Sequence, residues 1–200
     1  MRAGQVRRAG RGHDEAGRLV LWSIAEGRRG RRWREATLDA AGIGVARSLT
    51  LETGPDRRPT RLELATGLGL LTLHFEPHGL FGNVVTSSGV RPLHLAGAPR
   101  GSRLVVVGSG LAAAAACWSL EPELGVGDRL EIEAVGVAAL DPGGAASFSV
   151  ELLALAVERI DAEAWHLVSP GEAPTAIWID SNGLPRTATG DGWPLEAEEA

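Results

Sequence analysis

Arg103-Leu104-Val105-Val106-Val107-Gly108-Ser109-Gly110-Leu111-Ala112-Ala113-Ala114-Ala115-Ala116-Cys117-Trp118-Ser119-Leu120 is the stretch at which the chain changes its period. An apolar, β-branched run enters a Gly-Ser-Gly turn and leaves it as a segment built on the best helix former, with no β-branched side chain. One helix of about three turns is expected over residues 110–120, ended by Pro122, which cannot continue it. The fold depends on what surrounds this helix: alternating strands and helices would make a parallel α/β sheet, and hairpins would make an antiparallel one.

Upstream the pattern is that of hairpins. Residues 18–26, with Leu19, Val20, Leu21, Trp22 and Ile24, are apolar on both faces, as in a strand covered on each side. Gly27-Arg28-Arg29-Gly30 supplies turn chemistry, and residues 33–38 return as a second strand. Ile43, Val45, Leu49 and Leu51 share one parity, the period of a half-buried strand, although Arg47 interrupts that face. Residues 52–59 form a loop by composition and lead into residues 60–65 as a hairpin. Strand-like runs at 70–76, 80–86 and 90–95, separated by turn residues, continue the series as a meander. Downstream of the helix, strands are expected at 129–137, 147–158, 165–169 and 176–180. Trp178-Ile179-Asp180-Ser181-Asn182-Gly183-Leu184-Pro185 carries an Asn-Gly hairpin turn. The helix is therefore expected to be isolated among strands whose neighbours run in opposite directions.

Two hundred residues suit one hydrophobic core. Residues 1–17, rich in Gly, Ala and Arg, are expected to form a flexible basic tail, residues 18–196 a single domain, and residues after Trp193 to fray. All 20 basic residues are Arg, and residues 1–34 carry a balance of +7 in a chain of net −5. The basic end thus has an acidic partner to find, either the Glu196, Glu198 and Glu199 of this chain or an external surface. No apolar run is long enough to span a bilayer, and the basic N-terminus lacks the apolar stretch of a secretory signal, so the expected location is the cytoplasm. Cys117, the one cysteine, has no partner for an internal disulfide.

Four constellations have chemistry worth weighing. Gly108-Ser109-Gly110-Leu111-Ala112-Ala113 after a strand resembles the dinucleotide fingerprint, with Glu131 or Glu133 at the distance of a ribose-binding acid. The alternating crossovers such a domain needs are missing, and a strand-to-helix turn is the favoured reading. His74, Glu76 and His78 have the spacing of a facial metal triad on one strand, with His94 as a substitute ligand, but Pro77 turns the chain before His78. Histidines at hairpin ends are favoured over a metal site. The five arginines of residues 28–34 around Trp33 have the makings of a phosphate grip, yet the acidic remainder of the chain disfavours nucleic acid. Ser109 lacks the glycines of a nucleophile elbow, and Cys117 falls inside the apolar helix, so no catalytic residue is nominated.

The opening Trp-bearing strand, the succession of hairpins and the closing Trp178-Ile179-Asp180-Ser181-Asn182-Gly183-Leu184-Pro185 resemble, in overall order, the spiral β-roll proteins that include a glycolipid-binding family. The resemblance implies a mainly β fold: a curved antiparallel sheet, as a spiral β-roll or open barrel, around one short Ala-rich helix. It also implies a hydrophobic interior that admits an amphipathic molecule. Trp22, Trp118, Trp165 and Trp178 either fill or line such an interior, filling being the better expectation, with Asn83 as a polar contact. The candidate ligand-binding residues are Trp22, Trp33, Arg34, His74, Asn83, His94 and Trp178. The expected function is non-catalytic binding of a hydrophobic or amphipathic small molecule such as a glycolipid, with no cofactor and no metal. The alternatives are a nucleotide-dependent oxidoreductase using the 108–113 turn and an Arg-rich interaction module.

Overall fold

A computed structural model describes residues 7–14, 16–98, 102–140, 148–171, 173–186 and 195–197 of the 200. Strands β1 (Arg7–His13), β2 (Leu19–Gly27), β3 (Gly30–Leu38), β4 (Val45–Thr53), β5 (Pro59–Thr66), β6 (Gly69–Glu76), β7 (Gly79–Thr86) and β8 (Gly89–Leu95) follow one another as antiparallel neighbours. With β14 (Leu195–Ala197) beside β1, they make a nine-stranded sheet curled into a half-barrel. A second sheet has the order β13-β12-β11-β10-β9, from β9 (Arg103–Val106), β10 (Arg129–Ala139), β11 (Phe148–Arg159), β12 (Ala164–Val168) and β13 (Thr175–Trp178). The single helix among the described residues, α1 (Gly110–Leu120), touches β3 of the large sheet and β9 and β13 of the small one. The mainly β, curved antiparallel architecture around a short Ala-rich helix agrees with expectation.

Leucines in cross-strand register line the inner face of the curl. On the inner face Leu49, Leu64, Leu71 and Val84 pair in sequence across β4 to β7, beginning from Glu35 on β3. One step along, Ile24, Trp33, Leu51, Leu62 and Leu73 form a parallel ladder across β2 to β6. All these apolar members are buried, and each contributes about 1.5–3 kcal/mol of transfer free energy. A third ladder, Glu26, Arg31 and Thr53, is polar, so the interior changes character toward the β2–β3 turn.

Three expectations are corrected. Residues 7–13 belong to a strand, not to a tail: β1 pairs with β2 along its whole length, from Arg7 opposite Ala25 to His13 opposite Leu19. Main-chain hydrogen bonds order a segment that has no large apolar side chain to bury. Residues 195–197 likewise do not fray but pair with β1, in a register that sets Glu196 opposite Arg11. Finally, β9 and β10 are parallel, with Leu104 opposite Val135, because α1 carries the chain back to the start of its own sheet. One strand–helix–strand unit is thus embedded in an antiparallel molecule. Smaller departures also occur. Burial along β2 alternates, leaving Leu21 on the outer face at 42 % exposure, and the Asn-Gly hairpin is reduced to one bridge, Ile179 to Pro185.

Every residue of α1 is buried, so the helix has no polar face. Its N-terminus is closed by side chains from the large sheet. Ser109, the N-cap, accepts from the Ala112 N–H at 3.1 Å and donates to Glu35 Oε2 at 2.9 Å, and the Leu111 N–H also reaches Glu35 Oε2 at 3.4 Å. The Glu35 carboxylate, fully buried, meets Arg47 Nη2 at 2.6 Å, and the same guanidinium donates to the carbonyls of Val107 and Gly108. Gly108 has φ +71°, a left-handed turn that glycine adopts without strain. The Arg47 that breaks the apolar parity of β4 is therefore the partner of a buried acid at the helix dipole.

Replacing Glu35 by Ala is expected to lower the unfolding free energy by about 3–5 kcal/mol, since it strands Arg47 and uncaps α1, and Glu35→Gln by less. Urea midpoints at unchanged slope measure both. Burial pushes the Cys117 thiol far above its ordinary range. Its alkylation by iodoacetamide at pH 8 is therefore expected only after denaturant is added, and rapid reaction of the folded protein would contradict the buried helix.

Candidate functional site

The polar ladder opens into a cavity of about 400 Å³ at one end of the interior. Four segments line it: the β2–β3 turn with Glu26 and Arg31, the β4–β5 loop with Pro55 and Arg57, Trp118 near the end of α1, and Ser181 and Asn182 of the turn after β13.

Trp118 is the centre of this site. Its ring stands edge-on to Trp33, centroids 5.5 Å apart, and is only 6 % exposed. Two guanidinium groups lie against it, with Arg31 Cζ 3.9 Å and Arg57 Cζ 4.6 Å from the ring centre. The negative face of an indole attracts such cations, and the attraction strengthens as water is excluded. Each arginine also has a carboxylate: Arg31 Nη2 meets Glu26 Oε2 at 2.7 Å, and Arg57 Nη1 meets Glu121 Oε2 at 2.7 Å. Main-chain carbonyls complete the anchoring, Asn182 accepting from Arg31 and Trp118 from Arg57.

The two arginines differ in burial. The Arg31 side chain is 5 % exposed, and its Nε has no hydrogen-bond partner among the described residues, an omission that costs about 1–3 kcal/mol. Arg57 is about one-third exposed and adopts φ +64°, a left-handed backbone that non-glycine residues enter only at a cost. That conformation ends the turn in which the Arg57 N–H bonds the Gly54 carbonyl. Arg28 and Arg29, at the tip of the β2–β3 turn, are exposed.

The seven residues nominated from sequence divide between the two faces of the molecule. Trp22 and Trp33 are buried on the inner face, and Trp33 stands behind Trp118. Trp178 is half-buried near Gly110 and Ala114, where the cavity measures only about 10 Å³. Arg34, His74, Asn83 and His94 are exposed on the opposite face of the large sheet. His74 and His94 flank Phe81 in register, and the His94 ring stacks on Phe81 at 4.5 Å. Among the described residues no three His, Cys, Asp or Glu side chains converge as metal ligands.

The Gly-Ser-Gly turn also has a defined role. The position an anionic ligand takes at a helix N-terminus is filled by the Glu35 carboxylate, and Glu131 and Glu133 are exposed on β10.

From sequence, Arg31 reads as one of five arginines of a basic turn and Trp118 as a filler of the interior, and Arg57 and Asn182 carry no expectation of a site. Parity was the available signal for Arg31, which alternates in step with Trp33 and Glu35 and so must point inward, unlike Arg32 and Arg34. For Trp118 the helix pattern indicated burial and nothing about its neighbours. Arg57 has no such signal, because its place depends on a loop conformation.

No family model matches the chain, and no curated protein sequence matches it. Among solved structures the chain is similar to the crystal structure of a DUF1089 family protein from Pseudomonas aeruginosa, with a TM-score of 0.51 and 15 % identity, covering 95 % of this chain and 92 % of that one. Likeness at that identity is likeness of fold. No helix among the described residues is long and apolar enough to cross a membrane.

Gly183 tests the geometry of the site. It has φ +72°, and a Cβ added there would lie 2.1 Å from Trp118 Cδ1. Gly183→Ala is expected to destabilise the protein by about 1–3 kcal/mol and to shift the tryptophan emission as the indole is displaced from its contacts with the two arginines. An unchanged spectrum and melting temperature would remove the close approach on which the site is built.

Proposed function

We propose that this protein binds, without chemical turnover, an amphipathic small molecule, glycolipids included, whose polar head enters the cavity beside Trp118. The observation that carries the reading is the cavity itself. Its volume of about 400 Å³ lies within the range of small-ligand sites, and charged and amide groups held on a rigid frame line it. Its anchoring groups are pre-positioned by ring contacts and main-chain hydrogen bonds, which lowers the ordering cost of binding.

The apolar part of the ligand stays outside. The two cavities described beside α1 hold about 10 Å³ each, the space of one water, and the leucines of the ladders are buried. The favoured ligand is therefore recognised by its head, with its chain directed toward the open side of the cavity.

Short-chain amphiphiles below their micelle concentration test this. Octyl glucoside and dihexanoyl phosphatidic acid would each be titrated while the melting temperature is followed, with native mass spectrometry for stoichiometry. A saturable rise of roughly 5–10 °C at a hundredfold excess over Kd with at least one of them is expected, together with a 1:1 adduct. A flat melting temperature and no adduct with either would end the proposal.

A further inference from the structure

We infer that the group taken up beside Trp118 is a phosphate-type oxyanion, and that Glu26 occupies its place on Arg31 until the ligand arrives. This inference rests on the head-group site just proposed and specifies its chemistry.

Three observations converge. Arg31 is buried at the cavity wall with Nη2 held by a Glu26 oxygen at 2.7 Å and with Nε, itself buried, unpartnered among the described residues. A guanidinium edge made of Nε and one Nη is the fork that accepts two oxygens of one anion. Here only half of that fork is used. Glu26 is the exposed member of the pair, at 45 % against 5 % for Arg31, so the carboxylate can swing toward water while the guanidinium stays in place. Arg57 rests against the same indole ring and lines the same cavity, so a second guanidinium bounds the space an anion would enter.

The geometry favours a tetrahedral anion over a planar one. A carboxylate placed on the Arg31 fork has both oxygens engaged and only their second lone pairs, in one plane, left over, whereas a phosphate offers further oxygens out of that plane to Arg57. Trp118 does not serve as a stacking platform for a sugar ring, because guanidinium groups already lie against it and it is almost wholly buried. Its ring contacts fix two guanidinium groups in the wall of one cavity. The exposed Arg28 and Arg29 at the turn tip add positive potential at the entrance.

Calorimetric titration of the full chain with glycerol 3-phosphate, dihexanoyl phosphatidic acid and octyl glucoside tests the inference. The phosphate-bearing ligands are expected to bind at least about tenfold more tightly than the neutral one, with an affinity that falls as salt rises. Glu26→Gln, a substitution at a half-exposed position, is expected to tighten phosphate binding about threefold to tenfold by removing the competing carboxylate, and Arg57→Gln to weaken it about tenfold. Equal affinity for octyl glucoside and the phosphates, or a Glu26→Gln protein of unchanged affinity, would overturn the inference and leave the amphiphile proposal intact. Glycerol 3-phosphate binding as tightly as the lipid would support the oxyanion site and assign it to a soluble phosphate, against the amphiphile proposal. Tighter binding of the lipid would support both, and binding of none would overturn both.

Discussion

A helix without a polar face has to be enclosed, and enclosing α1 is the constraint that organises this molecule. All eleven of its residues are buried. Its surface of alanines permits close approach on every side, so one short helix touches strands of two different sheets. Water cannot satisfy the main-chain groups at either end, and the protein supplies partners instead. At the N-terminus the partner is Glu35, backed by Arg47. At the C-terminus the Trp118 carbonyl accepts from Arg57 and the Ser119 carbonyl from Arg103.

The two ends of α1 thus receive opposite treatment. An acid drawn from the large sheet neutralises the positive end of the dipole, and arginines gather at the negative end. The first arrangement is closed, with each oxygen of Glu35 engaged. The second adjoins a cavity, and there Arg31 Nε, beside Trp118, has no partner among the described residues. The asymmetry separates a structural contact from a candidate binding site, although both consist of arginine, carboxylate and helix terminus.

Much of the architecture could be read in the residues. Leucine alternation from Leu49 to Leu73 located the hairpins, and the Ala-rich run placed the helix at residues 110–120. What local pattern could not show was pairing between distant segments. The strand at Arg7–His13 has no hydrophobic signature, since a neighbour's main chain orders it. The parallel match of β9 with β10 depends on where α1 returns the chain, which no periodicity encodes. The site was missed for a related reason. By position Arg31 belongs with Arg28, Arg29, Arg32 and Arg34 to one basic turn, yet alternation sends it inward alone. His74 and His94, chosen for their chemistry, share the outer face with Arg34 and Asn83, where ring stacking on Phe81 accounts for one of them.

The topology of the two sheets also orders the events of folding. From β2 to β8 each strand pairs with its sequence neighbour, so the large sheet can zip from local contacts that form fast. The small sheet has no such route at β9, whose partner lies beyond the helix. The bond from Ser109 to Glu35 closes a separation of 74 residues, and it joins the two halves. Helix α1 consequently lacks its full set of neighbours until β13 has been made, and until then an almost wholly apolar surface is without cover. The exposure of that surface lasts from completion of α1 until β13 has been made, the stretch of synthesis in which an apolar segment without cover favours association between chains.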